Sequence, residues 1–242
     1  MKHSPVIIGL AMLIAILALL AVGAGFFWPN TGGPYTFTAL RGQEVQMYGQ
    51  GLYRYDTLFT GAANRGNDLI TFVLAIPLLL YALVQYRQNS LRGGLLLLGT
   101  FVYFLYLYGS YALGIAFNPL FLVYIALFSA TLFAVVLLFS SVDRQLLADH
   151  LAPTLPRRGI AIFMLISGLA TLVIWLQPLL DALLQNKPSP ALGTYTTTIT
   201  DVLDLGIITP ATFIAGTLIW RRNPTGYLIT FSLLVLEIML TP

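Results

Sequence analysis

The sequence predicts an all-α polytopic membrane protein: seven transmembrane helices, with a small extracytoplasmic β-hairpin between helices 1 and 2. Three observations predict it. Of 242 residues, 58% are hydrophobic and 9% charged, against about 25% charged in an ordinary soluble domain, and a soluble fold of this length cannot hide so much apolar surface. The apolar residues form blocks long enough to cross a hydrocarbon layer, separated by short polar segments. One interruption is different: the stretch after the first block is long, polar and strand-like in composition.

The first block, residues 5–27, follows Lys2 and His3 and stops at Trp28-Pro29. Val22-Gly23-Ala24 would suit a signal peptidase, so a cleaved leader is the competing reading. The block is longer than a usual leader core, and its closing aromatic residues suit an interface, so a retained helix is expected. Residues 29–67 are expected to form an extracytoplasmic hairpin and loop. Within them, residues 35–40 and 43–48 read as strands, and Arg41-Gly42 as a two-residue turn. Asp56 is expected to cap a short helix running from Thr57 towards Asn64.

The later spans are expected at about residues 68–86, 93–113, 119–139, 159–177, 197–220 and 225–240, in one membrane domain covering residues 1–242. Asn118-Pro119 is a good helix start, with Asn as N-cap and Pro at the first helical position. Residues 144–151, in the loop after the fourth span, suit a short surface helix. Pro77 and Pro210 bend the second and sixth spans. No internal repeat is evident.

Lys2, Arg87, Arg92, Arg144, Arg157, Arg158, Arg221 and Arg222 fall on one side of this layout, and Arg41, Arg54, Arg65 and Lys187 on the other. The positive-inside rule then predicts a cytoplasmic N-terminus and an extracytoplasmic C-terminus in a cell membrane, with the hairpin outside. At 1.5 Å per helical residue, Asp68 stands roughly 28 Å above the inner boundary, Asp204 and Asp201 roughly 25 and 30 Å, and Glu237 roughly 20 Å. Four carboxylates on three helices therefore share the outer part of the membrane.

A carboxylate at such depth is costly and normally turns towards a partner, water or an ion. Asp201 and Asp204 project from one helix face. Tyr103, Tyr106, Ser110 and Tyr111 of the third span, and Tyr124 of the fourth, reach the same level. The expectation is one outward-facing pocket for a small ligand or cation, built from Asp68, Asp201, Asp204, Glu237, Tyr103, Tyr106 and Tyr111, with Arg54, Asp56 and Arg65 above it as lid or anion contacts. The bland alternative is that Asp68 and Asp201 are helix-end residues favoured by the dipole, and that the tyrosines form an interfacial belt. No catalytic residue can be named.

Several chemistries are excluded. The chain has no cysteine, which removes disulfides and thiolate metal sites. No predicted span carries a histidine, so haem held by paired histidines within the membrane has no ligands, and no span lysine offers a retinal-type Schiff base. No metal site or other cofactor is identified, and any metal here would be oxygen-bound. A formal charge of +3, scattered at block ends, is no nucleic-acid surface. The partners expected are the lipid bilayer and a protein docking on the 35–48 hairpin. Three function classes follow: a transporter or ligand-binding membrane protein, a membrane enzyme acting on a lipid or exported substrate at the outer leaflet, and a non-catalytic subunit or assembly factor of a membrane complex.

Overall fold

The computed structural model describes residues 2–240. Its helices are α1 (Pro5–Phe27), α2 (Leu58–Arg87), α3 (Leu91–Gly114), α4 (Phe121–Ser141), the short α5 (Arg144–Asp149), α6 (Arg157–Leu184), α7 (Ile199–Trp220) and α8 (Pro224–Leu240). Six of them are long and apolar enough to cross a membrane; α8 is apolar and, at 17 residues, shorter. Strands β1 (Tyr35–Thr38) and β2 (Glu44–Met47) pair antiparallel, with Tyr35 opposite Met47 and Thr38 opposite Glu44.

Three local expectations are corrected. The hairpin loop has three residues, not two. The Ala39 N–H bonds to the Gln43 carbonyl at 2.8 Å, and the Gly42 N–H returns to the Ala39 carbonyl at 2.9 Å. Gly42 sits at φ 77°, the left-handed residue that follows a type I turn and completes such a loop. The second helix starts at Leu58 rather than 68, because residues 58–67 continue directly into it. Their glycines and asparagines are weak helix formers, but burial decides: Asn64 and Asp68 are buried, and the Tyr48 ring lies where a Gly61 Cβ would be. The N-cap is Thr57, whose Oγ1 accepts from the Thr60 N–H at 3.2 Å, and not Asp56.

Packing divides the helices into two groups. In the first, α1 packs on α2, α2 on α3, α3 on α4, and α4 back on α1, closing a four-helix ring. Tyr53, Tyr103, Tyr108, Tyr111, Tyr124, Phe101 and Phe104 are buried in this group, several in edge-on or stacked ring pairs. In the second, α6 packs on α7 and α7 on α8, and α8 joins the groups by packing on α3. Small residues allow the close approaches that drive helix association in lipid. Val235 of α8 fills the space beside Gly99 of α3, and Leu165 and the Ala161 carbonyl of α6 lie against Gly216 of α7.

Contacts identify the two ends of the bundle. At one, the Asp56 carboxylate joins the segment before α2 to Ala116 after α3 and Tyr195 before α7. At the other, His3 and Ser4 before α1 bond to Asn89 and Tyr86 near the α2–α3 turn, and α5 packs on α8.

Candidate functional site

A cavity of about 810 Å³ lies at the hairpin end, between the two helix groups. Its walls are the first turns of α2 (Leu58, Thr60, Asn64, Asn67), the end of α3 (Tyr106, Ser110, Tyr111), Trp175 of α6, and residues 197–201 leading into α7. Val45 and Gln46 of β2 and Tyr195 rim it, and Leu240 of α8 reaches it. The one acidic or basic side chain among its lining residues is Asp201.

The expected site residues fall into three places. Asp201, Tyr106 and Tyr111 line the cavity. Tyr106 donates its hydroxyl to Asp204 Oδ1 at 2.9 Å, so Asp204 stands directly behind the cavity wall. Glu237 does not line the cavity, and its side chain is exposed, but it is near enough to Tyr106 and Asp204 to interact electrostatically with both. Asp201, Asp204 and Glu237 therefore form one acidic neighbourhood with Tyr106 at its centre.

Asp68 is elsewhere, buried inside the four-helix ring. Tyr53 donates to its Oδ2 at 2.8 Å, and the carboxylate lies against α1 where Gly25 has no side chain. Tyr103 is one turn along, its hydroxyl sharing a 2.9 Å hydrogen bond with Thr71 Oγ1. Tyr111 bridges the two regions: its ring packs edge-on against Tyr53, its hydroxyl donates to the Asn64 carbonyl at 3.2 Å, and it also lines the cavity.

The three expected lid residues do not line the cavity. Arg54 is exposed and lies over its neighbour's ring, 4.7 Å from the Tyr55 centroid. Arg65 is half-buried on α2, close enough to Asp68 to act on its charge. Asp56 is a buried staple. Its Oδ1 accepts the Ala116 N–H at 2.8 Å and the Tyr195 hydroxyl at 2.7 Å, so one carboxylate oxygen ties three connections together. Burial pushes the Asp56 carboxyl above its ordinary value, and those two hydrogen bonds pull it part of the way back. Burial, then the Asp56 charge, push the Tyr195 hydroxyl up as well.

Sequence reasoning missed Asn64, Asn67, Trp175, Tyr195 and the threonines at 198 and 200. Trp175 falls inside the expected fifth span, where nothing local turns it towards a cavity, and Tyr195 falls in the connection before the expected sixth. One signal was present: Thr57, Thr60, Asn64 and Asn67 repeat at helical spacing, a polar stripe that a loop does not need.

No family model, curated protein or solved structure matches the chain.

Proposed function

We propose that the chain is an integral membrane protein of seven spans whose cavity opens to the extracytoplasmic side and binds a small organic cation. One observation carries this reading: a cavity of about 810 Å³ walled by aromatic rings, hydroxyls and amides, with Asp201 as its one acidic or basic side chain. That volume is in the range of small-molecule sites. A cation with an apolar body matches it: the charge faces Asp201 with Asp204 and Glu237 behind, and the apolar part lies against Tyr106, Tyr111 and Trp175, whose ring faces also attract cations. A carboxylate within a membrane calls for such a partner. An anionic ligand would face three carboxylates.

The seventh span is supported by reach. Pro224 lies beside Ala148, Arg157 and Tyr227 at the end away from the hairpin, while Leu240 touches the cavity, so α8 runs the length of the bundle. The basic residues argue for a cytoplasmic N-terminus in a cell membrane, with hairpin and cavity outside. The enzyme reading loses its anion clamp, since Arg54 and Arg65 stand away from the cavity. A protein partner at the 35–48 hairpin keeps one specific support: Tyr35 and Phe37 are exposed on a strand that packs on little.

Ser110 lines the cavity and the chain has no cysteine, so S110C reports on this site alone. In intact cells, a membrane-impermeant maleimide is expected to label S110C from outside, and benzyltrimethylammonium to slow the labelling while benzenesulfonate does not. No labelling from outside, or equal protection by both compounds, contradicts the reading.

A further inference from the structure

The helical hairpin α2–α3 and the helical hairpin α7–α8 correspond residue by residue. Asp68 and Asp201 each stand nine residues before a proline, Pro77 and Pro210. Between acid and proline each helix opens into a π turn, Thr71–Ala75 in α2 and Asp204–Ile208 in α7. Each π turn closes with the same bond: the Ile76 N–H reaches the Thr71 carbonyl, and the Thr209 N–H reaches the Asp204 carbonyl.

The match continues through the turns. Ser90 and Asn223 send their N–H groups to the Gln85 and Leu218 carbonyls, at 3.2 and 2.8 Å, and Asn89 and Arg222 bond to Tyr86 and Ile219, both at 2.9 Å. Asn89 and Arg222 are left-handed, at φ 61° and 59°. Gly93 and Gly226 then lie against the backbone N of Tyr86 and Ile219, each with room for no Cβ. Every pair is separated by the same 133 residues, as Asp68 is from Asp201. The expectation that the chain has no internal repeat is thus corrected. So few side chains are shared that the repeat is legible mainly in backbone geometry.

Three further facts give the repeat a use. The cavity lies between its two copies, walled by the segments that precede both π turns. Helix α3 supplies a tyrosine to the first residue of each: Tyr103 to Thr71 and Tyr106 to Asp204. Each copy packs as a three-helix row of the same order, α1–α2–α3 and α6–α7–α8, and the rows meet where α3 packs on α8. A π turn followed by proline deprives a helix of regular i to i−4 bonds, which makes it a place to bend. Repeated units with interrupted helices at corresponding positions, and a site at their interface, are the construction of carriers that rock one unit against the other.

From this we infer that the protein is a carrier, which moves the organic cation of the cavity across the membrane by rocking the α6–α8 unit against the α1–α4 unit, with the Thr71–Pro77 and Asp204–Pro210 segments as paired hinges. The cargo rests on the binding reading above; the motion does not. Asp201 faces the cargo, whereas its counterpart Asp68 is held by Tyr53 and Gly25 and anchors its unit.

Two measurements separate the parts. In proteoliposomes preloaded with unlabelled benzyltrimethylammonium, uptake of the labelled compound by counterflow is expected in the wild type, to fall at least tenfold in the P77A/P210A double variant, and to be lost in D201N. Independently of any ligand, V235C is buried at the seam between the units, beside Gly99. Its reaction with a charged methanethiosulfonate is expected to proceed, and to slow at least tenfold when P77A/P210A is added. Binding without counterflow overturns the carrier. So does a V235C that stays unreactive while the exposed Y55C is modified, or one indifferent to the proline changes. Absence of benzyltrimethylammonium binding with V235C behaving as expected overturns the cargo and upholds the motion.

Discussion

Helices α2 and α7 are built on one plan and put to two uses. Both carry an aspartate nine residues before a proline, with a π turn between. In α2 the aspartate is enclosed by the four-helix ring, bonded by Tyr53 and pressed against Gly25. In α7 it faces the cavity, and the next acid along, Asp204, is bonded by Tyr106. What differs is the closure around them: α4 completes a ring around the first copy, and nothing among the described residues does so for the second. On the binding reading proposed above, the same sequence feature is a structural anchor where neighbours supply its hydrogen bonds, and a site where they leave it to a ligand.

The sharpest way to break this comparison is Gly25. A Cβ there overlaps the Asp68 carboxylate, so Gly25→Val should cost about 3 kcal/mol or more by overpacking and lower the yield of folded protein in a detergent melt. Wild-type stability would mean that Asp68 is not anchored as described. Next in size is Asp68 against Asp201. Removing the acceptor of a buried hydroxyl costs about 1–3 kcal/mol, so Asp68→Ala should lower Tm clearly, Asp68→Asn little, and Asp201→Ala hardly at all. A similar loss for Asp68→Ala and Asp201→Ala would erase the distinction.

The matched turns make a smaller and symmetrical prediction. Gly93→Ala and Gly226→Ala should each destabilise by about 1–3 kcal/mol, because both place a Cβ against backbone. Arg222→Gly should stabilise by about 1 kcal/mol by relieving a left-handed arginine. Smallest is a pH effect at the Asp56 staple. Its folded carboxyl lies above the ordinary 3.8, so the folded state holds the proton more tightly. That stabilisation is complete below 3.8 and is lost as pH rises through the raised value. Hydrogen exchange at the Ala116 amide should therefore speed up as pH rises, beyond its intrinsic dependence, and Asp56→Asn should flatten that excess. An excess unchanged in Asp56→Asn would contradict it.

Much of the fold was legible because apolar length and turn chemistry are local. Residues 5–27 are α1 as read, two antiparallel strands form within 35–48 although their register is one residue off the one read, and a short helix lies within 144–151. The start of α2 was half legible: residues 57–64 read as a short separate helix, and its unbroken run into the span depends on Tyr48 and Tyr111, which pack on it from other parts of the chain. The site was half legible. Asp201, Tyr106 and Tyr111 line the cavity, with Asp204 behind them, since helical spacing fixes faces. Depth along a helix does not say which ring of neighbours encloses a residue, and so Asp68 was grouped with carboxylates from which the four-helix ring separates it.

The central claim is that the cavity binds a cation at Asp201, and equilibrium binding of benzyltrimethylammonium to the purified full chain in nanodiscs tests it most directly. The account predicts saturable binding to the wild type, at least tenfold weaker in Asp201→Asn and unchanged in Asp68→Asn, with no binding of benzenesulfonate. Equal affinity in the wild type and Asp201→Asn, or binding of benzenesulfonate in place of the cation, would contradict it.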